Sequence, residues 1–277
     1  MRTVAFYNLK GGVGKTTSAV NIAYLASQTQ CRTLLWDLDP QGSASWYLEP
    51  VQTNTFKAAR QVKGNAPIGR LIEHTPYDFL DLIPSNISMR NMDRFVEFHK
   101  QGKDALGSII RPLADTYELT ILDCPPNLSA LAVSVFQAAD AIVVPVIPTH
   151  LSLQTYAQLV KFMAERKIDV RKLVPFFSLV DMRRKLHRDW VENPPGMLID
   201  LLPVHIPYSS LIEKMGERRA PLPVFSPRTP LSDRYLSIWD HITHRVKDEN
   251  PLHILNNDEH LFQNKQSDLA GINVLSV

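Results

Sequence analysis

A glycine-rich stretch near the start of the chain, V-A-F-Y-N-L-K-G-G-V-G-K-T-T at 4–17, constrains the fold more than any other feature. Its first residues predict a short apolar strand, and the residues from Lys15 onward predict a helix. The glycines between them allow a tight turn whose backbone N–H groups point at an anion, at the positive end of the helix dipole. Lys15 would contact the β- and γ-phosphates, and the Thr16 hydroxyl would bind Mg²⁺. The stretch therefore predicts a nucleotide-phosphate site.

The loop departs from the standard P-loop, G-x-x-x-x-G-K-[ST], because Leu9 stands at the position of the first glycine. A lysine, Lys10, precedes the glycines instead. K-G-G-V-G-K-T-T closely resembles the deviant Walker A motif of the ParA/MinD family of ATPases. The resemblance implies that the loop binds ATP and that Lys10 reaches across a dimer interface to the partner's nucleotide. The alternative, a turn that binds nothing, is disfavoured by the strand before it and the helix after it. The predicted nucleotide-binding residues are Lys10, Gly11, Gly12, Val13, Gly14, Lys15, Thr16 and Thr17.

A second motif follows the next apolar strand, at 32–37. D-L-D-P-Q-G-S at 37–43 resembles the second motif of the family, D-x-D-P-Q-G-N. Carboxylates at strand ends belong to the ligand edge of a parallel sheet. The resemblance implies that Asp39 is catalytic and orients the attacking water, and that Lys10 steadies the charge of the transition state. Asp37 is interpreted as ordering the loop. The alternative is that both aspartates only cap the next helix.

A third motif, D-C-P-P, begins at Asp123 after the apolar run L-T-I-L at 119–122. It resembles a Walker B strand with the ending typical of the family. Together with Thr16, Asp123 is the predicted Mg²⁺ ligand, through a metal-bound water. The prolines end the strand and stiffen a loop that could sense the γ-phosphate.

Composition limits the class of protein. The chain has 277 residues, 44% of them hydrophobic and 21% charged, which is ordinary for a globular protein. The apolar runs are shorter than the roughly 18–20 residues that a membrane span requires. Because a strand begins almost at the first residue, we expect no signal peptide. The two cysteines, Cys31 and Cys124, cannot form a disulfide framework, so we expect a cytoplasmic protein.

Strands alternate with helical patterns along the chain, which calls for right-handed crossovers and a parallel sheet covered on both faces. We expect an α/β fold: a single doubly wound domain with a mostly parallel sheet of about 7–8 strands flanked by helices. The ATPase domain should span 1–250, with a polar tail at 251–277. Residues 50–105 look helical and polar apart from a strand at 79–83, and a helix interrupted near Pro112 is predicted at 108–117. Strands are predicted near 2–7, 32–37, 79–83, 119–123, 140–146, 173–180 and 202–206.

Positive charge is concentrated between 161 and 228. This part carries +5, while the whole chain carries only +2. A solvated surface is the plain interpretation. The resemblance implies instead that these side chains bind DNA through phosphate contacts without base recognition. Where partition ATPases often carry an arginine after Ile-Pro, this chain has Tyr208. The predicted DNA-binding residues are therefore Arg218, Arg219, Arg183, Arg184, Lys185 and Arg188.

The leading hypothesis is a ParA-type ATPase that dimerises on ATP binding, binds nonspecific DNA and is nucleoid-associated in that state. A ParB-like or cargo-adaptor protein would stimulate its slow hydrolysis, and the cargo would be a chromosome, a plasmid or a protein assembly. A MinD-like membrane-cycling regulator is the alternative. It is disfavoured because Lys265 is the only Lys or Arg from 251 onward, too little charge for a basic membrane helix. An iron-protein-like reductase component is disfavoured because an iron–sulfur cluster needs cysteines on loops that face the dimer axis, and Cys31 and Cys124 are badly placed for that.

Overall fold

The computed structural model describes residues 1–48, 68–85 and 105–247. They form an eight-stranded sheet in the order β3-β4-β2-β5-β1-β6-β7-β8. All neighbouring strands are parallel except β3 and β4, so the predicted doubly wound α/β fold with its mostly parallel sheet is confirmed. The strands are β1 (Arg2–Phe6), β2 (Thr33–Asp37), β3 (Glu73–His74), β4 (Leu80–Ile83), β5 (Leu119–Asp123), β6 (Ala141–Val146), β7 (Leu173–Val180) and β8 (His205–Pro207).

Helices cover both faces of the sheet. The strands between them are continuous apolar runs because side chains of both orientations are buried. One face carries α1 (Lys15–Gln28), α2 (Ser43–Leu48), α7 (Ser210–Arg218), α8 (Leu222–Phe225) and α9 (Pro230–Lys247). The other carries α3 (Ala105–Ile110), α4 (Ala130–Ala138), α5 (His150–Glu165) and α6 (Lys185–Glu192).

The register of the central strands sets the position of the motifs. Phe6 and Asp37, the last residues of β1 and β2, both pair with Asp123 at the end of β5. The glycine-rich loop, the loop after Asp37 and the D-C-P-P segment therefore begin side by side at one edge of the sheet. Ligand crevices of open α/β sheets lie at this edge, beyond the carboxyl ends of the strands.

The structure differs from the sequence predictions at some places, and other predictions fall on residues outside the described ranges. The antiparallel edge strand β3 was not predicted, because two residues show no alternation. The helix predicted at 108–117 is α3, which starts earlier and ends at Ile110, and a 3₁₀ turn at Arg111–Leu113 contains Pro112. The predicted tail at 251–277 and most of 50–105 lie outside the described residues. The boundary of the ATPase domain near 250 stays a prediction.

The C-terminal helix α9 packs directly on α1, the helix that follows the glycine-rich loop. Tyr235 of α9 is fully buried there, with its hydroxyl beside the side chains of Thr17, Ser18 and Asn21. The Asn21 side chain accepts a hydrogen bond of 2.8 Å from the Leu222 N–H. These contacts hold the loop-bearing helix in place. Within the described ranges, no helix has the length and apolar character needed to cross a membrane.

Candidate active site

The glycine-rich loop uses glycine where another residue would be strained. Gly12 and Gly14 have φ angles of 69° and 92°, in the left-handed region that glycine tolerates best. Gly14 is also the N-cap of α1, and a Cβ there would lie 3.0 Å from the Ser178 Oγ of β7. The contact with Ser178 was not foreseen from the sequence. Because Gly14 has no Cβ, the backbone of the loop can lie directly against β7.

Lys15 is almost entirely buried beneath this loop. Its Nζ donates a hydrogen bond of 3.3 Å to the backbone carbonyl of Lys10, so the side chain folds back over the loop. Burial lowers the pKa of Lys15, while the nearby carboxylates of Asp123 and Asp39 act in the opposite direction. Residues from three different strand ends therefore share one electrostatic environment, as the sequence motifs predicted.

Asn8 is a buried residue of the loop that the sequence analysis did not single out. Its Nδ2 donates to the carbonyl of Pro145 in β6 at 2.7 Å, and its Oδ1 accepts from the Lys10 N–H at 2.8 Å. Asn8 thus connects the start of the loop to the neighbouring strand. The sequence offered one indication of this role, a polar residue directly after a predicted apolar strand. A buried amide side chain is usually hydrogen-bonded, so such a residue is expected to connect neighbouring segments.

Asp123 is fully buried, and neither of its carboxylate oxygens has a hydrogen-bond partner of regular geometry among the described residues. Burial and the neighbouring Asp37 raise its pKa well above the ordinary value, while the Thr16 hydroxyl and Lys15 oppose the shift. A buried carboxylate with unsatisfied oxygens, beside a threonine hydroxyl, fits a hard divalent cation. The predicted Mg²⁺ ligands, Thr16 and Asp123, are thus brought together.

Asp37 is satisfied within the protein and has a different role. Its carboxylate accepts hydrogen bonds from the Asp39 N–H at 3.2 Å, the Ser45 N–H at 2.9 Å and the Ser45 hydroxyl at 2.7 Å. Burial raises its pKa to about 6, and the hydrogen bonds from Ser45 limit the shift. Asp37 therefore orders the loop that follows β2. Asp39 is half-buried on this loop, and its charge is close enough to contribute to the raised pKa of Asp123.

The first basic cluster follows β7. Arg183 forms a two-point ion pair with Asp181, with distances of 2.8 and 2.9 Å. Arg188 on α6 donates to the carbonyls of Met182 and Arg183 at 2.8 and 3.0 Å. These two arginines are engaged in fixing their own loop. The remaining predicted members, Arg184 and Lys185, are exposed at the start of α6.

The second basic cluster lies at the end of α7. The guanidinium of Arg219 is stacked 4.2 Å from the ring centre of Trp46 on α2, and its Nε donates to the Trp46 carbonyl at 3.3 Å. Trp46 is 54% exposed and is therefore not a core residue. Since α6 and α7 cover opposite faces of the sheet, the structure does not bring the two predicted clusters together.

Large apolar side chains are exposed at the same edge of the sheet as the glycine-rich loop. They follow the carboxyl ends of β5, β6, β7 and β8 and are between 37% and 62% exposed. Solvent exposure of several such side chains around one site is typical of an interaction surface. The residues are Leu128, Leu151, Met182 and Tyr208.

Comparison with known proteins supports the same architecture. A family model described as an AAA domain (AAA_31) matches residues 1–174. The chain is 31% identical over 197 residues to the chromosome-partitioning ATPase Soj of Treponema pallidum (strain Nichols), covering 69% of this chain and 77% of that protein. It is 33% identical over 159 residues to the chromosome partitioning protein ParA of Myxococcus xanthus (strain DK1622).

The match to the Myxococcus protein covers 57% of this chain and 56% of the length of that protein. Among solved structures, a plasmid partition protein (BB_S35) from Borrelia burgdorferi B31 bound to AMPPNP superposes with a TM-score of 0.74. That match has 21% sequence identity and covers 88% of this chain and 99% of the other. At this identity the structural likeness establishes the fold alone.

Proposed function

The chain belongs to the ParA/Soj family of P-loop ATPases, and on that premise we propose that it is a positioning ATPase that hydrolyses ATP with Mg²⁺. The observation that carries the proposal is Asp123, a buried carboxylate with two unsatisfied oxygens beside Thr16 and Lys15. A fold without a charged ligand at this place gains nothing from burying such a group. A bound nucleoside triphosphate with its cation would offset the free-energy cost of burying this carboxylate.

The residues of the loop would each have a distinct task. Backbone N–H groups of the glycine-rich turn would bind the phosphate oxygens at the N-terminus of α1. Lys15 would lie against the β- and γ-phosphates, and Thr16 and Asp123 would hold Mg²⁺. The cation, when bound, neutralises phosphate charge and supports the transfer of the terminal phosphoryl group. Lys15 already sits under the loop, so its position needs little reorganisation.

Asp39 would orient the attacking water. Three features support this role: its loop is tied to the buried Asp37, its side chain is only half-buried, and its charge raises the pKa of Asp123. A carboxylate at hydrogen-bond distance from water can place that molecule in line with the phosphoryl group. Lys10, which has no side-chain ion pair or hydrogen bond with another described residue, would steady the developing charge.

We further propose that ATP drives formation of a homodimer. Lys10 would reach the partner's nucleotide, and the exposed apolar residues at the same edge would pack against their counterparts. A nucleotide favours the dimer only if it binds the dimer more tightly than the monomer. A trans contact from Lys10 to the bound phosphates supplies that difference.

The dimer would bind nonspecific DNA on the nucleoid, and a ParB-like or cargo-adaptor protein would stimulate hydrolysis. Arg218 and Arg219 are the first proposed contacts, and Arg183, Arg184, Lys185 and Arg188 are the second set. Members of both sets are already engaged, since Arg183 is paired with Asp181 and Arg219 is stacked on Trp46. Binding of this kind depends on phosphate neutralisation and is salt-sensitive. The proposed cargo is a chromosome, a plasmid or a protein assembly.

Calorimetric titration with ATP tests the core of this proposal. Wild-type protein should bind ATP more tightly with Mg²⁺ than without it. Lys15→Ala should lose at least ~100-fold in affinity, since the buried cation beneath the loop is removed. Lys161→Ala, at a lysine that is 79% exposed on α5, is the matched control and should bind as the wild type does. Equal ATP affinity of Lys15→Ala and wild type would contradict the assignment.

A further inference from the structure

A continuous set of hydrogen bonds connects the backbone of Asp39 to the ends of two strands. The hydroxyl of Ser85, just after β4, donates to the Asp39 carbonyl at 2.6 Å. The Ser85 N–H donates to the Ser45 hydroxyl oxygen at 2.9 Å, and that hydroxyl donates to the Asp37 carboxylate at 2.7 Å. Because Asp37 is buried at the end of β2, the set ends in a fixed group.

The turn around Asp39 also has bonds of its own. The Gly42 N–H donates to the Asp39 carbonyl at 2.9 Å, and the Gln41 N–H donates to Asp39 Oδ1 at 3.0 Å. Gly42 has a φ of 67°, and a Cβ there would lie 3.8 Å from the Ser85 Cβ. These bonds define the shape of the turn, but both partners lie within the turn, so the bonds do not fix its position relative to the sheet. Three bonds fix its place relative to the sheet: the bond from Ser85, the bond of 3.2 Å from the Asp39 N–H to Asp37, and the bond of 2.9 Å from the Leu38 N–H to the Asp123 carbonyl. Of these, the bond from Ser85 is the shortest and the only one of the three that reaches Asp39 from the segment after β4.

We infer that Ser85 is a positioning residue for hydrolysis, which sets the location of the Asp39 carboxylate through its hydrogen bond to the Asp39 backbone. The inference rests on the proposed role of Asp39 in orienting water. Displacement of a reacting group by about 1 Å can cost roughly 100-fold in rate, so a single short bond at this point matters. Ser85 lies just after β4, a strand that carries none of the three nucleotide motifs.

ATP binding should be independent of Ser85. The residues proposed to hold the phosphates and the cation lie on the loop after β1 and at the end of β5, and the bonds of Ser85 go to Asp39 and Ser45. Loss of the Ser85 hydroxyl should therefore lower kcat and leave KM for ATP unchanged. An interaction that acts only in the transition state gives this pattern.

The test compares steady-state ATP hydrolysis by full-length wild type, Ser85→Ala and Ser85→Thr. We expect kcat of Ser85→Ala to fall about tenfold with KM within about twofold of wild type. Ser85→Thr keeps the hydroxyl and should restore most of the rate. Ser27→Ala is the control: it removes a hydroxyl that donates to the Tyr24 carbonyl at 2.8 Å at the far end of α1. That variant should hydrolyse ATP at the wild-type rate.

A double variant shows whether Ser85 acts through Asp39. In an Asp39→Ala background, Ser85→Ala should cause no further loss of kcat, because the group that it positions is gone. A further loss, a raised KM, or a wild-type rate for the single Ser85→Ala variant would overturn the inference while leaving the role of Asp39 intact. Wild-type hydrolysis by Asp39→Ala would instead remove the catalytic assignment itself, and the inference with it.

Discussion

The hydroxyl of Tyr7 donates a hydrogen bond of 2.8 Å to the backbone carbonyl of Asn127. Tyr7 follows β1 and precedes the glycine-rich loop, while Asn127 lies on the proline-rich loop after β5. The Tyr7 side chain is buried, with its ring edge-on to Phe136 at 4.7 Å, and burial raises its pKa far above the usual range. The hydroxyl therefore stays protonated and acts as a donor. One bond ties the two proposed phosphate-facing loops together.

Tyr7→Phe should free the loop after β5 without disturbing the core. The ring keeps its packing against Phe136, so only the bond to Asn127 is lost. We expect a loss of about 1 kcal/mol in the free energy of unfolding and faster amide hydrogen exchange at 124–128. Urea unfolding and exchange mass spectrometry measure the two effects. Unchanged exchange in that loop would show that the bond does not restrain it.

Lys10→Gln should separate nucleotide binding from dimerisation. Within the part of the chain that the structure describes, the Lys10 side chain has no hydrogen bond or ion pair, and only the Lys10 backbone bonds to Asn8 and Lys15. We therefore expect monomers to bind ATP within about threefold of the wild-type affinity, while dimerisation weakens at least ~10-fold. Light scattering with a non-hydrolysable ATP analogue measures the mass of the assembly. Equal dimer formation by variant and wild type would contradict a role in trans.

Charge reversal should reveal which basic cluster contacts DNA. Arg218→Glu combined with Arg219→Glu should abolish ATP-dependent DNA binding while sparing dimerisation. Arg184→Glu combined with Lys185→Glu, on the opposite face of the sheet, is the comparison and should have a smaller effect. Binding by the wild type should fall steeply with salt, with a log–log slope of about −0.9 per phosphate neutralised. Fluorescence anisotropy of labelled DNA at several salt concentrations is the measurement. If both double variants bind DNA as the wild type does, these clusters are only solvated surface.

Asp123→Asn should make stability without nucleotide less dependent on pH. Burial raises the pKa of Asp123, so the unfolded chain releases this proton at lower pH than the folded chain does. The stability of the wild type therefore falls as pH rises above the ordinary value of 3.8 for an aspartate. An uncharged amide has no such loss, so the variant should be more stable by roughly 1–3 kcal/mol at pH 8 and similar near pH 4.

Thermal unfolding between pH 4 and pH 8 measures this difference. Addition of Mg²⁺ and ATP should stabilise the wild type strongly at pH 8, since a cation then satisfies the ionised carboxylate. The same addition should stabilise Asp123→Asn less. A variant that is less stable than wild type at pH 8 without nucleotide would show that the carboxylate is satisfied within the protein.

The motifs and most of the strands could be predicted from the sequence, because their determinants are neighbours in the chain. Gly12 and Gly14 are needed for left-handed backbone, and the continuous apolar runs at 119–122 and 141–146 are typical of strands buried on both faces. The common edge of the loop, the Asp37 motif and the Asp123 motif follows from parallel strand direction alone. The fold class and the nucleotide-binding motifs could therefore be predicted from residues that are close together in the sequence.

Tertiary structure decided what depends on contacts between distant segments. Strand register made Asp37 and Asp123 direct neighbours and buried both, while only one of them found hydrogen-bond donors. The assignment of α6 and α7 to opposite faces separated the two basic clusters, and Trp46 lies on the surface with Arg219 stacked on its ring. The bond from Ser85 to Asp39 depends on β4 lying beside β2. Residue type and spacing carry no information on such pairings, because register, layer and burial are set by the packing of the whole chain.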